Sequence, residues 1–383
     1  MTKKGKLMFS LVRGAVAIGI ALLMTALLVF ISARGETFAE RLAATGDALV
    51  NLLVRPLFKS DGAFSTKNFH DILAGMIPTI FTGLSVCVMF SANQFNMGAE
   101  GGSMLGAFVA ALVAIYMSMA AGVHVIVALL VGGLAVGLLM VVPGVLKAKL
   151  DVSEMVCTLM LNYVIMYVIK YVLNSFLADK SRGQIMTYPF QETAILPQLV
   201  NDGSKLSWGF VIALVFVVLV TLFMFRTRWG YAIRMIGINK DFAKYSGIRV
   251  GTTIVLSQVI GGFLAGLGGG IEMLGRYSTF SWSSLPGYGW TGITIAILAG
   301  NNPAFVPFAA FFMAYLSKGC DLMSTYSGVP AQLIDIIQAV IFLFFAAEQF
   351  LSRYRQKLVV RATQLELKNA ALKAAAKEGA NNG

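Results

Sequence analysis

Long apolar runs alternate with short polar or glycine-rich joints along most of the chain, near residues 14–31, 72–90, 102–119, 123–146, 155–177, 207–225, 253–274, 288–300, 303–317 and 333–350. A helix needs about 20 apolar residues to cross the hydrocarbon of a bilayer, so the pattern predicts an all-α polytopic membrane protein of about ten transmembrane helices. The runs at 288–300 and 303–317 are unusually short, which suits broken half-helices or a pair hinged at the turn Ala299–Pro303. The runs leave no room for a second soluble domain. The expected organisation is one transmembrane domain over 1–351, with a loop at 226–251, followed by a tail over 352–383. The first run follows Lys3, Lys4 and Lys6 in the manner of a leader, but no small-residue cleavage site ends it, and it reads as a retained span.

Composition agrees. The 383 residues are 57% hydrophobic and 13% charged, against roughly 25% charged in soluble domains. Cys87, Cys157 and Cys320 lie in or beside apolar runs at unrelated spacings, and with two histidines in the chain neither a disulfide framework nor a metal site is indicated. The net charge of +12 raises the question of nucleic acid, but the positions of the charges answer it. Lys3, Lys4 and Lys6, then Lys147 and Lys149, then Arg226 to Arg249, then the tail from Arg353 are separated by even numbers of predicted spans. All of them fall on one side, as the bias of Lys and Arg toward cytoplasmic loops requires. Both termini are therefore expected in the cytoplasm, and the charge is topological. The outer segment 33–71 carries five basic residues matched by five acids and does not vote. It contains an amphipathic stretch, Ala39–Phe58, expected to form a short surface helix cut by Pro56.

Two stretches break the apolar pattern inside the membrane region. FNMGAEGGSMLGAF, Phe95–Phe108, places an Asn, a Glu and four glycines between two spans. Leu264–Pro303 repeats the theme, with a glycine cluster, Glu272 and a short apolar helix. Backbone that leaves a helix in the membrane must be buried in protein or line a cavity. Asn93 and Asn96 are expected to bond the freed amides, and Glu100 to meet the positive end of the helix that it opens. Five spans on each side of residue 200 would allow an inverted 5+5 repeat. The basic loop Arg226–Gly251 predicts a short helix capped by Asn239 and ended by Gly247 at C′, with Phe242 and Tyr245 exposed. Such a helix serves equally as a docking knob or as an interfacial anchor.

IPTIFTGLSVCVMFSANQFNMGAEGG (Ile77–Gly102) resembles the stretch that marks permease subunits of nucleoside-type ABC importers, a family shared with simple-sugar and branched-chain amino acid permeases. Val152–Val164 (VSEMVCTLMLNYV), the loop from Gly237 to Ile248 and the turn AGNNP are similar to further motifs of that family, in the same order. Ser153, Gly102, Phe242 and Lys240 depart from the usual residues. The resemblance implies a permease that pairs with a second permease subunit, identical or homologous, with a cytoplasmic ABC ATPase and with an external substrate-binding lipoprotein. It implies no cofactor on this chain. ATP and Mg belong to the ATPase, and no GxxxxGK[ST] motif for phosphate occurs here. Sugar permeases of the wider group carry IDLSVG where this chain has FNMGAEG, which favours nucleosides. A nucleoside needs ring stacking and hydroxyl partners, so the expected solute path comprises Asn93, Phe95, Asn96, Glu100, Asn162, Glu272, Tyr288, Trp290 and Thr291. ATPase coupling is expected at Gly237, Asn239, Phe242, Ala243, Tyr245 and Gly247.

Simple sugars are the second solute class. An ion-coupled secondary transporter, with Glu100 and Glu272 as titrating carriers, is a further alternative. An enzyme is disfavoured because His70 and His124 have no partners at useful spacing, and no catalytic residue or metal ligand is assigned. The expected location is a bacterial-type plasma membrane, with lipid around the spans.

Overall fold

With no water to bond them in hydrocarbon, the backbone groups of an apolar run must satisfy one another, and the long runs do so as helices. The computed structural model describes residues 37–179 and 183–327, with Gly19, 23–31, 329–330, Ile336 and 339–340. Among the described residues there is no strand, only two isolated bridges. The helices are α1 (Phe38–Leu53), α2 (Thr66–Ser91), α3 (Ala99–Tyr116), α4 (Val123–Leu139), α5 (Val141–Leu150), α6 (Glu154–Val172), α7 (Gly209–Arg226), α8 (Arg228–Ile238), α9 (Lys240–Tyr245), α10 (Val250–Arg276), α11 (Tyr288–Leu298) and α12 (Val306–Ser327). Residues 46–330 form one compact unit, and 1–45 with 331–383 another. In the latter, residues 23–31 are helical and Phe30 meets Phe38 edge-on at 5.3 Å. Everything that follows concerns the former.

Six segments among the described residues are long and apolar enough to cross a membrane: α2, α3, α4 with α5, α6 with the π turn Leu173–Leu177, α7 and α10. The α4–α5 segment breaks at Met140 because Pro143 has no N–H to offer Leu139. Of the two expectations for 288–300 and 303–317, the hinged pair holds: α11 and α12 are turned by 111° at that joint. Gly300 and Asn301 take left-handed φ of 63° and 57°, and the Asn302 side chain accepts from the Ala304 N–H to start the next helix. The second member runs on to Ser327 and is no half-helix. Counting the pair as one gives up to seven spans. Most of the predicted runs at 14–31 and 333–350, and the tail 352–383, lie outside the described residues.

The centre of this unit is α10, whose sequence GGFLAGLGGG removes side chains where neighbouring backbones approach. A Cβ on Gly269 would stand 1.9 Å from the Ser103 carbonyl oxygen of α3, and one on Gly106 of α3 would stand 2.3 Å from that of Gly266. Gly132 of α4 comes equally close to the Gly106 carbonyl, at 2.7 Å. The three helices thus meet backbone to backbone, and dispersion at that separation holds them where lipid offers no hydrophobic drive. Outside this block α7 exposes Val211, Leu214, Val215, Val218, Leu219 and Leu222, a purely aliphatic face suited to lipid.

The segment 183–207 is clasped over one end of the bundle. Amides of Thr187, Phe190 and Leu196 donate to the carbonyls of Phe280, Ser278 and Leu274, and the Gln191 amide donates to Ala114. His124 is fully buried between Thr193 Oγ1 at 2.9 Å and the Val113 carbonyl at 3.1 Å, and His70 pairs with Asp202. Both histidines therefore have partners, supplied from far along the chain where spacing cannot show them. Lys147, Lys149, Arg226, Arg228, Lys240 and Arg249 lie at the opposite helix ends, the sorting by charge that the sequence predicts.

Gly269→Ala places a methyl in contact with the Ser103 carbonyl and should cost about 1–3 kcal/mol, whereas Gly251→Ala, with its nearest neighbour at 3.6 Å, should be neutral. Thermal unfolding in detergent checks this; an unchanged midpoint for Gly269→Ala would refute the contact.

Candidate functional site

After α2 ends, the chain runs without helix from Ala92 to Met97 before α3 begins. Asn93 turns it with a φ of 56°. The freed backbone groups bond to one face of α6. The Phe95 amide donates to Glu154 Oε1 at 3.0 Å, that of Met97 to Thr158 Oγ1 at 3.0 Å and that of Gly101 to Asn162 Oδ1 at 2.9 Å. Asn162 Nδ2 returns a bond to the Met97 carbonyl at 3.0 Å. Glu154, Thr158 and Asn162 are spaced by four, one above another on the helix. Asn96 completes the set by accepting from the Gly98 amide and donating to Gln258 of α10 at 3.0 Å. Asn162 and Gln258 each stand eight residues into their helices. At about 1.5 Å per residue, the segment therefore runs from the start of α6, where Phe95 meets Glu154, to the level of Asn162, about 12 Å further along that helix.

Glu100 does not cap the helix that it opens, whose N-cap Gly98 makes no side-chain bond. Its carboxylate reaches instead to the start of α11, accepting from the Gly287 amide at 2.5 Å and the Gly289 amide at 2.6 Å, with Trp290 a third backbone donor. The buried charge sits at the positive end of that helix dipole. Two features permit the approach. Gly287 has a φ of +85°, which glycine adopts freely, and a Cβ on Gly289 would stand 2.4 Å from the Glu100 nitrogen. Thr82 Oγ1 ties α2 into the same place by donating to the Tyr288 carbonyl at 2.9 Å. The two irregular stretches therefore meet, through contacts separated by 187 positions or more in the chain.

The expected path residues divide by what their side chains do. Asn96, Glu100 and Asn162 are buried and committed to backbone. Glu272, also buried, accepts from Arg276 at 3.3 Å and from the Tyr288 hydroxyl at 3.1 Å. The Thr291 hydroxyl donates to the Gly287 carbonyl. Asn93, Phe95 and Trp290 are exposed, Phe95 lying stacked on Phe90 at 4.7 Å between centroids, and Tyr288 is half-buried beside Trp282. Asn93, Phe95 and Trp290 are thus the expected path residues that keep side-chain surface exposed. Glu154, Thr158 and Gln258 went unassigned in the sequence reading. The signal for the first two was an acid, a hydroxyl and an amide at steps of four within a membrane helix.

At the basic end, Thr227 caps α8 and Asn239 caps α9 by accepting from the Phe242 amide at 2.9 Å. The amides of Gly247 and Ile248 donate to Lys244 and Ala243 in a Schellman motif, with Gly247 at a φ of +80°. Ala243 is buried with Ile236 and Ile254 against Ala148, while Phe242 and Tyr245 stand 54% and 91% exposed. Gly237 meets the end of α2: a Cβ there would lie 2.0 Å from the Ser91 carbonyl oxygen.

Residues 68–346 match the family described as branched-chain amino acid transport system / permease component. The chain is 32% identical over 333 residues to the glucose ABC transporter permease protein TsgB13 of Haloferax volcanii, covering 83% of this chain and 88% of that relative. It is 35% identical over 153 residues to the nucleoside ABC transporter permease protein NupB of Lactococcus lactis, covering 40% and 42%. Over 152 residues it is 34% identical to the guanosine ABC transporter permease protein NupP of Bacillus subtilis, covering 39% and 43%. No solved structure matches it significantly.

Replacing Glu100 by Ala strands buried amides at the start of α11 and should destabilise the fold by about 2–5 kcal/mol, with Glu100→Gln, which keeps one acceptor oxygen, falling between. Unfolding midpoints in detergent measure the order; equal stability of all three proteins would refute the bonding.

Proposed function

Because the chain belongs to the branched-chain amino acid transport system / permease component family, we propose that it is the membrane subunit of an ATP-driven importer that carries nucleosides into the cytoplasm. Its transport role is that of an ABC permease. ATP and Mg are handled by a separate ABC ATPase, a second permease subunit completes the membrane part, and an external lipoprotein delivers the solute. The observation that carries the nucleoside reading is the exposure of two aromatic rings, Phe95 on the segment before α3 and Trp290 in the first turn of α11, whose start is bonded by Glu100 of α3. Planar rings suit a nucleobase, and the exposed Asn93 amide would serve a ribose hydroxyl. The nucleoside and guanosine permeases among the relatives support it. Contacts of this kind are weak by design, since the path must release what the external receptor has selected.

Simple sugars are the second reading, favoured by the glucose permease relative that aligns along most of its length. An ion-coupled mechanism has less support, because Glu100 is held by backbone amides and Glu272 by Arg276 and Tyr288. The cytoplasmic face is the basic one, with both termini on that side, and α9 there presents Phe242 and Tyr245 to the ATPase. Aromatic anchors in a desolvated pocket carry most of an interface's energy.

In proteoliposomes holding permease, receptor and ATPase, labelled guanosine and uridine should accumulate on ATP addition, and Phe95→Ala and Trp290→Ala should slow uptake more than basal ATP hydrolysis. Accumulation of glucose in their place would move the assignment to sugars. The double variant Phe242→Ala/Tyr245→Ala should lose copurification of the ATPase while staying folded; an ATPase that remained bound and stimulated would leave α9 as a membrane anchor.

A further inference from the structure

The exposed face of α9 and the segment 92–98 are joined by a set of contacts that neither motif contains. Ala243, the one buried residue of α9, forms a cluster with Ile236 and Ile254, against which Ala148 at the end of α5 packs. Beside it Lys147 Nζ lies 3.1 Å from Glu154 Oε2 and 3.1 Å from Asp151 Oδ1. The other oxygen of Glu154 accepts the Phe95 amide at 3.0 Å. Asp151 has its carboxyl held below the usual range by the bond from Lys147, with Lys240, the first residue of α9, adding to the same field. A second contact reaches the other end of the segment directly, where Gly237 bears on the Ser91 carbonyl.

We infer that Lys147 and Glu154 are positioning residues that transmit movement of the α8–α9 elbow to the Phe95 segment. The inference rests on the transport reading of the previous subsection. Three features of the pair fit transmission better than mere packing. Glu154 is almost fully buried and bonds with both oxygens, one to a side chain and one to a backbone amide, so a shift of either partner is felt by the other. Lys147 divides its charge between Glu154 and the solvent-facing Asp151, whose side chain is 78% exposed, so its hold on Glu154 depends on the arrangement at the cytoplasmic surface. The route also enters the segment at Phe95, between the Asn93 turn and the Asn96 anchor, while Gly237 bears on the segment's start. Displacement of the elbow then acts on the segment at two points and turns it, where a single contact would only translate it.

Glu154→Gln keeps an acceptor for Phe95 and the shape of the side chain but removes the charge that holds Lys147. Lys147→Met keeps the length and removes the other charge, and Lys147→Arg restores it. In the reconstituted complex both uncharged variants should raise the ATP hydrolysed per solute moved by about three- to thirtyfold, the range of coupling changes along such networks. Lys147→Arg should return toward wild type. The ATPase should copurify with all of them. Hydrogen exchange supplies the matching readout: ATPase binding should protect residues 239–247 in every protein but alter exchange at 92–98 only in wild type and Lys147→Arg. An unchanged ATP-to-solute ratio, a parallel fall of uptake and hydrolysis, or an exchange response at 92–98 that survives Glu154→Gln would each overturn the inference. Wild-type complex that moves neither nucleoside nor sugar on ATP would instead overturn the transport reading, and the exchange comparison would still decide the role of the pair.

Discussion

Everything distinctive about this molecule follows from the cost of an unbonded amide away from water. A chain that interrupts its helices within a membrane bundle frees backbone groups, each worth several kcal/mol if left bare in hydrocarbon. Here the interruption between α2 and α3 is stitched to Glu154, Thr158 and Asn162 on a single face of α6, and the interruption before α11 is stitched to Glu100. The two repairs are linked, because Glu100 begins three residues after the last stitched carbonyl, that of Met97. Removing Glu154, Thr158 or Asn162 strands a donor in the first region, and removing Glu100 strands donors in the second. The polar residues that catch the eye in FNMGAEGG are therefore bonded to the chain itself: Asn96 to Gly98 and Gln258, and Glu100 to the start of α11.

The same logic divides the work of α6. Its inward stripe is polar and serves its neighbours, while Met155, Val156, Met160, Val164 and Val168 are turned outward and exposed. The helix is only lightly buried for a span of this kind, yet it holds the segment on which the proposed path depends. A polar junction can thus be supported from the periphery of the bundle, provided that the supporting residues recur every fourth position.

Much of the fold was legible in the apolar runs, and the positions of Lys and Arg sorted the helix ends correctly. The cap at Asn239, the stop at Gly247 and the exposure of Phe242 and Tyr245 were legible because local rules govern a two-turn helix. What escaped was long-range. Nothing near Glu100 announces amides nearly two hundred residues away, and no local feature of His124 points to Thr193. The hinge between α11 and α12 was legible in the turn at Gly300–Asn301, but its 111° angle was not, nor the length of the second member, because the hydroxyls and lysine after Tyr315 disguise a helix that continues to Ser327.

The contact of α10 with α3 and α4 through Gly106, Gly132, Gly266 and Gly269 has a mechanical consequence. Interfaces built from interlocking side chains can slip, since rotamers exchange and one set of knobs can ratchet into the next set of holes. Bare backbones pressed together have no rotamers to exchange, and a slide of one residue would drive a side chain into a carbonyl. This trio acts as a keel: stiff along its length, unable to shear, and fixed in register. Any relative displacement of helices within this bundle is therefore left to the elements hung on that keel and not to the keel itself.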